Sequence, residues 1–195
     1  MRSRFVEFAG TLYLLLPLLG GAIFHGLCMK RGWLVALARP IDGGKTWRGR
    51  PLFGRTKTYR GPIAVAIGAA LTWELQRSVL HGWAPLEALE LRDYAALPGW
   101  WLGALAGAAA ELAELPNSFV KRRAGVQSSG TARGLPSVLF YAWDQIDLLL
   151  GFWLVMAWAV HPNALHVLAS VSLALALHPL ITIAGYLLHM RPTAR

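Results

Sequence analysis

Residues 111–147 read ELAELPNSFVKRRAGVQSSGTARGLPSVLFYAWDQID, and the order of the parts decides the fold. Two carboxylates, Glu111 and Glu114, close an apolar run. Lys121, Arg122 and Arg123 follow in succession, then a Gly/Ser-rich linker, then a second apolar run holding Asp144 and Asp147. Three residues apart, those aspartates share one face of a helix. Ionised carboxylates inside apolar sequence are costly and mark an ion, metal or substrate site. A basic cluster between two acid pairs suits a metal-bound ligand rich in phosphate.

Outward from this stretch, the chain of 195 residues is 55% hydrophobic and only 15% charged, with a mean hydropathy of +0.44. These values exclude an ordinary soluble globule and point to an all-α integral membrane protein, a single membrane domain over residues 1–195. Apolar runs predict five transmembrane helices, at about 8–29, 62–83, 99–116, 135–160 and 164–189. The first is too long for the apolar core of a typical signal peptide and lacks a small-x-small cleavage pattern before Lys30. Pro116 is expected to end the third span. Asp144 would lie about 14 Å along the fourth helix from Leu135, facing a wet or metal-filled cavity rather than lipid. The single Cys28 permits no intrachain disulfide.

Two long basic loops, 30–61 and 117–134, separate the spans. The first carries nine Lys and Arg against one acid, Asp42, and repeats a short unit: Lys45-Thr-Trp-Arg-Gly49, then Lys57-Thr-Tyr-Arg-Gly61. Five spans put both loops on one side with the C-terminus, gathering fifteen of the nineteen basic residues there. The positive-inside rule makes that side the cytoplasm and puts the N-terminus outside. The net charge of +9 therefore serves lipid headgroups and phosphate ligands in loops, not nucleic acid.

Several features have bland readings. Glu74 and Arg77 are spaced to neutralise each other, and His166, His178 and His189 read as satisfied bundle histidines. Gly99, Gly103 and Gly107 form a small-residue ridge that fits packing within the bundle as well as a homodimer. Gly44-Lys45-Thr46 is not a P-loop, because the preceding glycine spacing is missing. By contrast, Lys57, Arg60 and Lys121–Arg123 have the charge to neutralise a triphosphate. Glu114, Asp144 and Asp147 supply the oxygen ligands that Mg²⁺ requires.

The order Pro40-Ile-Asp42-Gly-Gly, Gly49-Arg50-x-x-x-Gly54-x-x-Lys57-Thr58-x-Arg60-Gly61, then Ser118-Phe119-x-Lys121-Arg122-Arg123-x-Gly125 and Asp144-Gln145-x-Asp147, resembles the CDP-archaeol synthases. The second half is similar in layout to the signature of phosphatidate cytidylyltransferases. The resemblance implies a membrane-embedded, Mg²⁺-dependent transferase that condenses CTP with a lipid phosphate, releasing pyrophosphate. It implies phosphate contacts from Lys57, Thr58, Arg60, Ser118, Lys121, Arg122 and Arg123. Asp144, Asp147 and Lys121 would be catalytic, and the metal would rest on Asp144, Asp147 and Glu114. Two departures stand out: Arg48-Gly49-Arg50 where the family reads Asp-Gly-Arg, and Ala113-Glu114 where it reads Gly-Asp. A non-catalytic lipid- or nucleotide-binding protein and an ion-coupled transporter are the alternatives. The transporter leaves both basic motifs unexplained, and the chain has no inverted repeats.

Overall fold

A computed structural model describes residues 3–126 and 135–187. Helix α1 (Arg4–Leu14) is capped by the Ser3 hydroxyl, which accepts from the Val6 amide at 3.3 Å. Pro17 at the second position of α2 (Leu16–Arg31) marks a local break at Leu15, so α1 and α2 run on as one stretch. Gly32 ends it in the left-handed conformation, the usual helix stop. Next come a 3-10 turn at Val35–Leu37 and a two-stranded hairpin, β1 (Thr46–Trp47) with β2 (Arg50–Pro51). Helix α3 (Arg60–Glu74) continues as a π-helical turn, Leu75–Leu80, where the buried Gln76 amide donates to the Tyr13 carbonyl at 2.6 Å. The short α4 (Ala84–Glu87) and a 3-10 turn at Tyr94–Ala96 lead to α5 (Trp100–Arg123), followed by α6 (Leu135–Val160) and α7 (Ala164–Leu187).

Helix α3 packs between α2 and α5, α6 packs on the other side of α5, and α7 touches both α6 and α1. Glycines make these approaches close. A Cβ on Gly107 would lie 2.8 Å from the Val65 carbonyl oxygen, and one on Gly103 would lie 2.5 Å from the Trp73 Cβ. The ridge read from the sequence is thus used against α3 within the chain.

On α6, Leu149, Phe152, Trp153 and Met156 are buried, whereas Leu150, Leu154 and Trp158, one turn apart, are exposed. Exposed Leu71, Val79, Leu105 and Leu168 extend this apolar exterior over the other helices. Such an exterior belongs in lipid. Two helical stretches, Arg4–Arg31 and Arg60–Leu80, are long and apolar enough to cross a membrane. The protein is mostly helical with an apolar surface, as an all-α membrane protein requires.

One expected boundary is corrected. Helix α5 does not stop at Pro116 but runs through it to Arg123, so residues 117–123 are helical rather than part of the second loop. An internal proline costs about 3 kcal/mol. The side chains one turn beyond it are anchored to α6 and to the hairpin, and those contacts outweigh the lost bond. The expected 3.6-residue spacing holds elsewhere. Arg77 pairs with Glu74 at 3.0 Å, and His166 exchanges bonds with Asn163, the His166 amide donating to Asn163 Oδ1 at 3.0 Å. The side chains of His178 and His189 lie outside the described residues.

Candidate active site

The first loop is ordered by its only acid. Asp42 is buried, and its carboxylate accepts from the Gly44 amide at 2.9 Å and from the Phe53 and Gly54 amides at 3.0 Å each. Burial alone would push this carboxyl up, but the amide donors outweigh it and hold it below its ordinary value. A depressed folded-state value means stability present above the unfolded value, near pH 4, and lost as pH falls through the folded one. Trypsin cleavage in the loop should therefore accelerate on pre-incubation below about pH 4. Asp42→Ala should strip out that pH dependence and weaken the loop by about 1–3 kcal/mol at neutral pH, because amide donors lose their acceptor. Equal cleavage of both proteins across the range would remove Asp42 from this role.

A backbone clasp closes the loop's base. Ile41 donates to the Lys57 carbonyl at 2.9 Å, Tyr59 donates to the Arg39 carbonyl at 3.1 Å, and Pro40 bridges Thr58. This pins Lys57 and Thr58 beside the start of α3. The hairpin turns at Arg48-Gly49, both at positive φ (51° and 73°), between the paired Trp47 and Arg50. Its strands then lock onto the end of α5. Arg123 donates to the Arg50 carbonyl at 3.0 Å and to the Pro51 and Trp47 carbonyls at 2.5 Å. Its guanidinium lies over the stacked Trp47 and Phe119 rings, 5.6 and 5.0 Å from their centres. Arg50 answers by donating to the Arg122 and Arg123 carbonyls, placing a cation on the negative end of the α5 dipole. Arg122, buried, donates through Nε to the Phe53 carbonyl at 3.1 Å.

Inside this clamp lies a cluster of acids and bases. The Asn117 amide nitrogen reaches both aspartates, Asp144 Oδ1 at 2.5 Å and Asp147 Oδ2 at 2.8 Å. Lys121 donates to both oxygens of Asp144, at 2.5 and 2.6 Å. Lys57 is ion-paired and hydrogen-bonded to Glu114. Burial by itself would lower the Lys57 ammonium, yet Glu114, joined by Glu111 and Asp147, raises it, so Lys57 stays charged at neutral pH. Glu111 approaches His25 of α2 at 3.9 Å. Asp147 is 1% exposed, a carboxylate held by its neighbours rather than by water.

Of the residues expected at a site, Lys57, Glu114, Lys121, Asp144 and Asp147 are thus brought together across α5, α6 and the base of the first loop. Arg60 starts α3 beside them, and Ser118 is buried on the same turn of α5. Thr58 serves the loop clasp, and the side chains of Arg122 and Arg123 are spent on loop carbonyls. Asn117, His25 and Asp42 carry parts of the arrangement that the sequence reading gave no role. Asn117 was detectable, since it falls three residues after Glu114 and four before Lys121, on the same helical face.

The oxygen donors fit a hard divalent cation. One carboxylate oxygen from each aspartate already converges on a single atom, the Asn117 amide nitrogen, and the buried Asn117 Oδ1 has no hydrogen-bond partner among the described residues. Turning that amide would add a third oxygen to the set.

This geometry meets the comparison with known proteins. A family model described as CarS-like, CDP-archaeol synthase, matches residues 8–194. The chain belongs to the CDP-archaeol synthase family. Among its relatives, the CDP-archaeol synthase of Hyperthermus butylicus is 32% identical over 78% of this chain and 79% of its own length. That of Methanopyrus kandleri is 33% identical over 78% of both chains, and that of Halobacterium salinarum is 34% identical over 78% of this chain and 81% of its own. No solved structure matches the chain. Membership makes it a CTP-dependent cytidylyltransferase acting on a lipid phosphate.

In the CDP-archaeol synthase framework the two departures acquire places. Glu114 is long enough to pair with Lys57 while remaining within electrostatic reach of Asp147. Arg48 sits at the first turn position of the hairpin, at positive φ, its guanidinium 5.2 Å from the centre of the Trp47 ring. Arg48→Asp should firm the hairpin by up to about 1 kcal/mol, since aspartate tolerates positive φ better. Transfer rates should stay within about twofold, and a larger loss would give Arg48 a direct part in the chemistry.

Proposed function

We propose that the chain transfers CMP from CTP to a glycerol-based lipid phosphate, yielding a CDP-activated lipid and pyrophosphate with Mg²⁺ as cofactor. It does so from five membrane crossings, with both basic loops and the C-terminus in the cytoplasm and the N-terminus outside. The observation that carries this reading is the array of Asn117, Lys121, Asp144 and Asp147 beside the Lys57–Glu114 pair. It places paired acids and fixed cations together at the apolar–basic boundary.

A lipid phosphate oxygen attacks the α-phosphorus of CTP, the new P–O bond forms, and the bond to the pyrophosphate oxygen breaks. Charge moves onto the leaving pyrophosphate, so the protein's task is positioning and electrostatic clamping. Lys57 and Lys121 are held at fixed points by Glu114 and Asp144. Asn117 holds Asp144 and Asp147 in one orientation, and the Arg50–Arg122–Arg123 clasp fixes the first loop relative to α5. Asp144, Asp147 and Glu114 would hold Mg²⁺, which when bound supplies Lewis-acid polarisation of phosphate oxygens. Membrane lipids surround the bundle and deliver the acceptor laterally.

The non-catalytic alternative drew on Arg48 and Glu114. Arg48 lies at a hairpin tip and Glu114 keeps its charge inside the cluster, so neither favours loss of turnover. The deciding assay is pyrophosphate release by the purified full-length protein with CTP, Mg²⁺ and a panel of ether- and ester-linked glycerol phosphates. Release that requires a lipid phosphate supports the proposal, and CTP binding without release across the whole panel would overturn it.

A further inference from the structure

We infer that His81, Glu90 and Asp93 form a binding site for a divalent transition-metal ion of the zinc type, at the end of the bundle opposite the acid–base cluster. The ion ties the end of α3 to the connection between α3 and α5, and it takes no part in the transfer chemistry.

The chain brings the three ligands together from separate turns. Helix α3 leads away from Lys57 and Arg60, and its π-helical turn ends at Leu80, so His81 stands about 30 Å from the start of α3. The His81 amide closes that turn on the Gln76 carbonyl at 3.0 Å, and π-helical turns of this kind gather at functional sites. Gly82, at a φ of 88°, redirects the chain into α4, and the residues after α4 return Glu90 and Asp93 to the imidazole.

Both Glu90 oxygens lie 3.2 Å from His81 Nδ1, and Asp93 Oδ1 lies 4.0 Å from His81 Nε2. One ligand atom from each residue lies within 4.8 Å of the other two. Ligand atoms around four-coordinate zinc stand about 3.3 Å apart. Glu90 and His81 are already at that spacing, and only the Asp93 side chain, 66% exposed, has to close in. An imidazole with carboxylates suits zinc, whereas Mg²⁺ keeps to oxygen ligands. Two carboxylates facing one imidazole leave the trio net negative whichever form the ring takes. Arg77, which reaches the same connection at the Ala95 carbonyl, is spent on Glu74.

A second observation lies behind the trio. Glu90 is 2% exposed, and Tyr13 of α1 lies within its electrostatic reach. The Tyr13 hydroxyl is buried with no hydrogen-bond partner among the described residues, as is Oε1 of Gln76, the residue on whose carbonyl His81 closes. Buried polar atoms are matched by protein, water or an ion, and a hydroxyl beside a ligating carboxylate orients it or holds the ion's water. The backbone around both acids is already set. Glu90 accepts from the Tyr94 amide at 3.0 Å, and Asp93 accepts from the Ala95 and Ala96 amides. Tyr94 stacks on Tyr13 and packs on Trp73, with ring centres 5.8 and 4.9 Å apart. An ion at this point therefore fastens the connection onto α1 and α3.

The test strips the full-length protein with EDTA and titrates it with Zn²⁺ by calorimetry, with Mg²⁺ held constant. The parent should take up one zinc per chain with a micromolar or tighter Kd, and its thermal midpoint should rise by about 5 °C at a hundredfold excess over Kd. His81→Gln, Glu90→Gln and Asp93→Asn should each weaken zinc binding at least tenfold and abolish the rise. Glu90→Gln and Asp93→Asn keep the acceptors for the Tyr94, Ala95 and Ala96 amides, so their metal-free midpoints should stay within about 2 °C of the parent's. Pyrophosphate release with CTP, Mg²⁺ and lipid phosphate should stay within twofold in all three. A parent protein that takes up no zinc at about 100 µM would overturn the inference, as would variants that bind zinc as the parent does. So would a midpoint that responds to pH but not to zinc, which would leave only a histidine–carboxylate latch.

Discussion

Asp147→Asn is expected to lower pyrophosphate release by roughly 10²–10³-fold, the loss typical of removing one charge-stabilising group from a preorganised site. The substitution keeps side-chain volume, so the packing of α6 on α5 should survive. What changes is charge: an acceptor-only carboxylate becomes an amide facing another amide, because Asn117 donates to Asp147 at 2.8 Å. Asp144→Asn should cost a similar factor and also release Lys121, which gives both its described bonds to Asp144. The two changes act on one array, so the double variant should be little worse than either single one. Steady-state kinetics with CTP and lipid phosphate, backed by thermal unfolding, would check this. Full activity in either variant would remove that aspartate from the chemistry.

Gly151→Ala should be nearly as damaging although it touches no charged group. A Cβ at position 151 would lie 2.1 Å from the Ala109 carbonyl oxygen and 2.7 Å from the Ala110 Cα. Both obstacles are backbone, so no rotamer change relieves the clash and α6 must move away from α5. Overpacking of this kind costs about 1–3 kcal/mol. The larger effect is geometric. Gly151 lies one turn beyond Asp147, so separation there draws both aspartates away from Asn117. A displacement of about 1 Å at reacting groups costs on the order of 10²-fold in rate. The expected signature is a fall in kcat with a lowered melting temperature. Unchanged kcat would mean the α5–α6 contact does not set the site.

The sequence by itself determined the class of fold, the two basic loops and the acids, because hydropathy and charge are local properties that a chain displays residue by residue. Asp144 and Asp147 were legible for the same reason: two acids three apart in an apolar run have few structural uses. Lys121 was legible as part of a charged run, but its partner was not, since pairing with Asp144 depends on how α5 lies against α6. The passage of α5 through Pro116 was hidden, because a local propensity was outweighed by anchors on other elements. The bonds from Arg122 and Arg123 to the Phe53 and Arg50 carbonyls were not legible either, since they depend on which carbonyls the first loop brings to the end of α5. His25 was invisible in sequence, lying 86 residues before Glu111 with nothing local to mark it. Only tertiary packing, through the missing side chain of Gly61, decides that α2, α3 and α5 share one polar centre.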